Sequence, residues 1–214
     1  SSDRKNILLG KGTCNGIDCM DKYNPEKKSL LANELKNQLA LDADSFVLGY
    51  VGRLVKDKGI NELVDAWQII APKYPKAKLL LVGPFESRDK VNDATRDIII
   101  SSPSIIYTGF VEDASVYYSL MDAFILPSYR EGFPTVVLEA SSMEMPVLTT
   151  RATGCVESII ENETGVSFGI NKLEIAAAID LFINNPDRIR QMGINGRNFV
   201  KSDFEQTKIW DIIE

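Results

Sequence analysis

Histidine is absent from all 214 residues. Every reaction that needs an imidazole is thereby excluded from this chain: a Ser-His-Asp triad, a Cys-His dyad, a His-ligated zinc. Cysteine is nearly as scarce. Cys14, Cys19 and Cys155 are too few and odd in number for a disulfide framework, which points to a reducing compartment. The Cys14–Cys19 spacing is a poor metal signal, and small apolar residues are the plainer reading. No apolar run reaches the roughly 18 residues of a membrane span, and no signal-peptide pattern opens the chain. A basic surface is also missing: 24 basic against 30 acidic side chains leave a formal charge of -6, opposite to what phosphate backbones attract, so no nucleic acid is expected as partner. No G-x-G-x-x-G follows an expected strand, which argues against a dinucleotide oxidoreductase. An initiating methionine is lacking too, and Ser1-Ser2 reads as the start of a piece excised from a longer protein.

What is present is ordinary for a soluble globule, with 44% hydrophobic and 25% charged residues. The length suits one large domain, or one domain with extensions. Residues 1–25 read as loop. Pro25 then opens a helical stretch, Glu26 to Ala40, with Leu30, Leu31, Leu35 and Leu39 at helical spacing. Beyond it, apolar runs of strand length alternate with helical patterns. Strands are expected at Ser45–Val51, Lys78–Gly83, Ile105–Thr108, Ala123–Leu126, Pro146–Thr150 and Gly165–Phe168. Helices are expected at Ile60–Ile70, Arg88–Ile100, Ala114–Met121, Val136–Met143, Lys172–Asn184, Asp187–Lys201 and Phe204–Glu214. Strands apolar throughout, with helices between them, imply an α/β fold: a doubly wound parallel sheet, Rossmann-like, in three α/β/α layers. Ligands of such sheets sit beyond the carboxyl ends of the strands, where the strand order reverses.

Two of those loops carry chemistry. After the first strand, Gly52-Arg53 and Lys58-Gly59 bring two cations beside glycine backbone and a helix start, features that favour a phosphate. A pair of solvated surface cations is the competing reading, and both stay open on this segment alone. After the fourth strand, Glu131-Gly132-Phe133-Pro134-Thr135-Val136 leads into a helix that carries Glu139. Pro134 fits the first helical position, leaving the N–H groups of Thr135 and Val136 without intrahelical partners. Glu139 lies about 7.5 Å further along the helix axis than Pro134. Two carboxylates so spaced can accept hydroxyls from one extended ligand, and a sugar joined to phosphate suits them. A capping Glu131 and a surface Glu139 are the plainer alternative. Asp42-Ala43-Asp44 imitates a metal motif but precedes the first strand, so it reads as a turn at the opposite end of the sheet. Tyr117, Tyr118, Trp67 and Trp210 read as core or edge aromatics.

Taken together, these segments resemble the C-terminal, donor-binding domain of retaining GT-B glycosyltransferases (glycosyl transferases group 1). The resemblance rests on Glu131 and Glu139 in the Glu-x7-Glu pattern, flanked by Leu126-Pro127-Ser128, Ala140, Pro146-Val147 and Gly154. It also rests on Gly52-Arg53-Leu54, Lys58-Gly59, Gly83, Gly109-Phe110-Val111, Gly165 and the opening Asn15-Gly16-Ile17-Asp18. The resemblance implies that Arg53 and Lys58 grip the diphosphate of a nucleotide-sugar and stabilise the departing nucleoside diphosphate. It implies that Glu131 bonds donor-sugar hydroxyls and that Glu139 holds the ribose. The backbone of Gly132, Phe133, Pro134, Thr135 and Val136 would line sugar and phosphates, Gly52 would belong to the same donor site, and the backbone around Gly109, Phe110 and Val111 would meet the base edge. No metal and no other cofactor are implied, since Arg53, Lys58 and the helix dipole supply the positive potential.

The family's other half, a second Rossmann-like domain carrying the acceptor site, is not within this sequence. The expected organisation is a linker at 1–25, the nucleotide-sugar-binding domain at 26–201 and a crossover helix at 202–214 whose apolar side (Phe204, Ile209, Trp210, Ile213) is exposed or pairs with a second copy. The expected function is the donor half of an enzyme that moves a sugar from a nucleoside-diphosphate sugar to a hydroxyl acceptor, in cell-surface polysaccharide or glycolipid synthesis. The acceptor, a sugar or a lipid-linked sugar, would meet it through the other domain. The expected location is cytoplasmic, at the inner membrane face, and this piece alone is expected to be inactive. Two alternatives stand beside it: a nucleotide-sugar-binding module without transferase activity, and another GT-B-like enzyme such as an epimerase or phosphorylase.

Overall fold

A computed structural model describes residues 16–213 of the chain. Six strands form a single parallel sheet in the order β3-β2-β1-β4-β5-β6. They are β1 (Val47–Val51), β2 (Lys78–Val82), β3 (Ile105–Gly109), β4 (Ala123–Leu126), β5 (Val147–Thr150) and β6 (Gly165–Phe168). Every residue of β1, β4 and β5 is buried, which is the physical reason these runs carry no polar alternation. The described helices are α1 (Pro25–Gln38), α2 (Ile60–Ile70), α3 (Asp93–Ser101), α4 (Ser115–Tyr118), α5 (Thr135–Ser142), α6 (Lys172–Ile183), α7 (Pro186–Asp203) and α8 (Gln206–Ile213). The strand order reverses between β1 and β4, which pair through Leu48–Ala123 and Gly49–Phe124. This is the doubly wound arrangement with its switch point at β1/β4.

Local chemistry explains most boundaries. Asn24 caps α1 through its side chain, which accepts from the Glu26 N–H, and Pro25 occupies the first turn. α2 follows Gly59, a left-handed residue at φ 68°, and buries Ile60, Leu63, Val64, Trp67 and Ile70. β1 begins at Val47 rather than Ser45, with the Val47 N–H bonded to Asp122 Oδ2 at 2.7 Å.

Two helices are shorter than their apolar pattern suggests. The stretch expected to be helical from Arg88 starts only at Asp93, because the preceding backbone is taken by the loop after β1. Lys56 N–H donates to the Asp89 carbonyl at 2.9 Å and Asp57 N–H to the Asp89 carboxylate at 2.8 Å. Within the stretch read as Ala114–Met121, α4 is one turn, after which the Leu120 and Met121 N–H groups bond three residues back, to Tyr117 and Tyr118.

The C-terminal end also departs from expectation. Phe204 and Ile209 are buried, not exposed. Phe204 packs between Phe133 and Phe199, at ring-centroid distances of 5.6 and 5.3 Å, and joins a small core with Ile17, Cys19, Leu138 and Val200. The chain before α1 supplies the cover: Ile17 N–H bonds the Phe204 carbonyl at 2.8 Å, and Gln206 N–H bonds the Ile17 carbonyl at 3.1 Å. The side chains of Trp210 and Ile213, like Cys14, Asn15 and Glu214, lie outside the described residues. Arg197 of α7 ties this corner together, its guanidinium donating to the carbonyls of Cys19, Tyr23 and Ser142.

Candidate functional site

At the carboxyl edge of the sheet, three strands run out into glycines. Gly52 N–H bonds the Val82 carbonyl at 2.9 Å, and Gly83 N–H bonds the Gly109 carbonyl at 3.0 Å. A Cβ at Gly83 would run into the Gly52 carbonyl, so this floor of the site lies flat only because side chains are missing from it. Tyr50, buried in β1, reaches beneath it and donates from its hydroxyl to the Arg53 carbonyl at 2.8 Å.

The loops after β1 and β4 are stitched to one another. Gly59 packs on the Pro127 carbonyl where a Cβ would collide with it, and Tyr129 N–H donates to the Asp57 carbonyl at 3.0 Å. Lys58 is thereby aimed at Glu131. Its Nζ donates to Glu131 Oε1 at 2.5 Å, with the two side chains only 21% and 13% exposed. Arg53 is more open and pairs with Glu86 of the loop after β2, at 2.8 Å. Lys58, Arg53, Gly52, Glu131, Phe133, Pro134, Thr135 and Val136 line one concavity of about 290 Å³ over the β1/β4 switch point. The structure thus brings together eight of the residues singled out in the sequence.

The start of α5 closes this concavity. Pro134 is the residue before the helix, at φ -79° and ψ 97°, one position earlier than expected. The consequence for the backbone is unchanged: among the described residues no protein acceptor meets the N–H of Thr135 or Val136. Gly132 faces open space, with no protein atom within 4 Å of where a Cβ would stand. Two unpaired donors, a helix dipole, an ammonium and a guanidinium therefore surround one opening, which suits an oxygen-rich anion.

Glu139 stands apart from that lining. It lies one turn deeper in α5, where the Tyr118 hydroxyl donates to its Oε2 at 2.8 Å and the Tyr23 hydroxyl is close enough to favour the charged form. Burial pushes the Glu139 carboxyl above its ordinary value, against the pull of those two hydroxyls. Neither the capping role for Glu131 nor the surface role for Glu139 survives this geometry. Gly109, Phe110 and Val111 sit at the end of the edge strand β3 and do not line the concavity. Phe110 is 77% exposed there, and Val111 packs on the core.

Other sequence signals fall into place as structure. Asp44 pairs with Lys76 at the far end of the sheet, and Trp67 is buried with its indole N–H on Ser104. Cys19 and Cys155 are buried free thiols whose pKa values burial pushes up, the opposite of a reactive cysteine. Among the described residues no three Cys, Asp or Glu side chains converge as metal ligands. Glu86, Tyr50 and Tyr23 were not legible as site residues. Glu86 alone left a trace, as a charge on the loop after a parallel strand.

Residues 32–199 match the family described as glycosyl transferases group 1. The chain is 35% identical over 218 residues to the capsular polysaccharide biosynthesis glycosyltransferase CapM of Staphylococcus aureus, covering 100% of this chain and 55% of CapM. Among solved structures it is similar to Alr3699/HepE of Anabaena in complex with UDP and glucose, with a TM-score of 0.79 and 25% identity over 92% of this chain and 54% of that one. The fold also matches the C-terminal domain of the group 1 family protein LpcC of Francisella tularensis, with a TM-score of 0.75 and 24% identity over 89% of this chain and 99% of that one. The chain spans about half the length of the curated relatives it matches. A doubly wound sheet with this loop chemistry at its switch point, matched along most of its length, belongs to the glycosyl transferases group 1 family.

Proposed function

We propose that the concavity over β1 and β4 is the donor site of a glycosyltransferase, which takes a sugar from a nucleoside-diphosphate sugar and passes it to a hydroxyl acceptor. The observation that carries this reading is the convergence of Arg53, Lys58, Glu131 and the free N–H groups of Thr135 and Val136 on one opening. Arg53, Lys58 and the helix start hold the diphosphate and stabilise the charge that grows on it as the sugar departs. That positive potential comes from the chain itself, so the proposed chemistry calls for no metal. Glu131 bonds the sugar hydroxyls. Glu139, oriented by Tyr118, takes the ribose, and the backbone of Gly109, Phe110 and Val111 meets the base.

The acceptor site in this reading belongs to a second domain of a longer enzyme, as does the exclusion of water. Residues 26–201 would be the nucleotide-sugar-binding domain and 202–214 the helix that crosses to its partner. This chain alone would bind donor weakly and transfer almost nothing. Retention at the anomeric carbon, a cytoplasmic location at the inner membrane face and a lipid-linked or sugar acceptor are part of the same proposal. Support for a polysaccharide pathway comes from the capsular relative. Among the described residues no helix is long and apolar enough to cross a membrane.

Calorimetry on point variants tests the assignment. Lys58→Ala is expected to weaken binding of a nucleoside diphosphate by about tenfold or more, the scale of a charge-assisted hydrogen bond, with Arg53→Ala smaller because Arg53 is more exposed. The corresponding nucleoside should lose little. Equal losses for both ligands would sink the phosphate assignment.

A further inference from the structure

Both cations assigned to phosphate in the proposed function are already ion-paired within the chain, and the two pairs are unlike. Arg53 and Glu86 are 59% and 33% exposed and border a neighbouring cavity of about 380 Å³, where Arg88 and Arg130 face Asp57 and Asp89. Solvent screens the Glu86 carboxylate. Lys58 and Glu131 are more enclosed, and their backbones have little freedom to part. Gly59 is locked on Pro127, Glu131 N–H donates to the Thr153 carbonyl at 3.3 Å, and Gly154 packs on the Glu131 carbonyl where no Cβ could fit.

Resting on that reading of the site, we propose that Glu131 makes it discriminate against the bare nucleoside diphosphate and in favour of the nucleotide sugar. A diphosphate that reaches Lys58 must share the ammonium with the Glu131 carboxylate and lie beside it. Like charges that close, with little water between them, repel strongly. A bare diphosphate has only acceptor oxygens at that end and gives the carboxylate nothing in return. A nucleotide sugar brings hydroxyls, which donate to Glu131 and replace the bond it loses from Lys58. Once the sugar has passed to the acceptor those donors are gone. The remaining diphosphate then faces a carboxylate with no relief, and leaves. The same residue attracts the substrate and expels the product, a selectivity built on a repulsive element.

The test is titration calorimetry of the parent chain, Glu131→Gln, Glu131→Asp and Glu86→Gln. The ligands are UDP, GDP and ADP, each beside its glucose ester: UDP-glucose, GDP-glucose and ADP-glucose. Glu131→Gln should bind the preferred diphosphate about tenfold more tightly while its affinity for the nucleotide sugar stays level or falls. Glu131→Asp keeps the charge and should keep the parent's order of preference. Glu86→Gln removes an equal charge beside the exposed Arg53 and should move both ligands by one common factor. Thermal melts of each variant check that the fold is retained. An equal shift of both ligands in Glu131→Gln, or a weaker diphosphate, overturns the inference and leaves the donor-site reading standing. Absence of binding by the parent and every variant at millimolar ligand overturns both.

Discussion

Glu139 is held inside the first turns of α5 by Tyr118, whose hydroxyl lies 2.8 Å from Oε2. Its burial raises the carboxyl pKa in the folded state. A group raised in this way favours the fold fully only below its unfolded value of about 4.3, and that contribution is lost as pH rises through the folded value. The ionised form of Glu139 is therefore held at a cost to the fold. Glu139→Gln is expected to raise the melting temperature at pH 8, with the gain shrinking towards pH 4, and to lessen discrimination between ribose and deoxyribose ligands. A melting temperature that falls at pH 8, with discrimination intact, would assign Glu139 to structure. That Arg53, Lys58 and Glu131 meet at one concavity was legible in the sequence because each lies on a loop that follows a parallel strand. Their partners were not. Lys58 and Glu131 stand 73 positions apart, and nothing in either segment announces the contact. Tyr118 carried no signal that separated a core aromatic from one that orients a carboxylate.

At the scale of elements, apolar length and spacing located the six strands and α2, whose ends depend on buried side chains. They overran at Arg88–Asn92 and at Ser119–Met121, where backbone groups bond to a neighbouring loop or to tight turns. Such competition is tertiary and leaves no periodic trace. The C-terminal corner departs from the sequence pattern for a related reason: Phe204 looks exposed until the segment at Ile17–Cys19 covers it. Arg197 makes that cover possible by satisfying three carbonyls from two segments, and it is only 12% exposed at the side chain. Arg197→Ala should cost about 2–4 kcal/mol, since it strands several buried acceptors at once, and chemical denaturation reads the loss directly. Lysine should restore only part of it, lacking the planar fork that spans the three carbonyls. A cost below about 0.5 kcal/mol, the range of ordinary surface substitutions, would contradict this role.

For the molecule as a whole, the strand order β3-β2-β1-β4-β5-β6 decides where chemistry can happen. It sets the loops after β1 and β4 side by side, and those are the loops with Arg53, Lys58 and Glu131. The glycine floor at Gly52, Gly83 and Gly109 carries the same surface outwards to the edge strand, where the base is proposed to lie. In the proposed function the opening takes phosphate and sugar, with the ribose deeper at Glu139, and its positive charge comes from side chains and a helix start. That account is tested most directly by calorimetric titration of the chain with UDP, GDP and ADP, first without metal and then with magnesium. It predicts that one diphosphate binds in preference to the others without metal, and that magnesium adds little. Binding that appears only with magnesium, or no binding of any diphosphate at millimolar concentration, would contradict it.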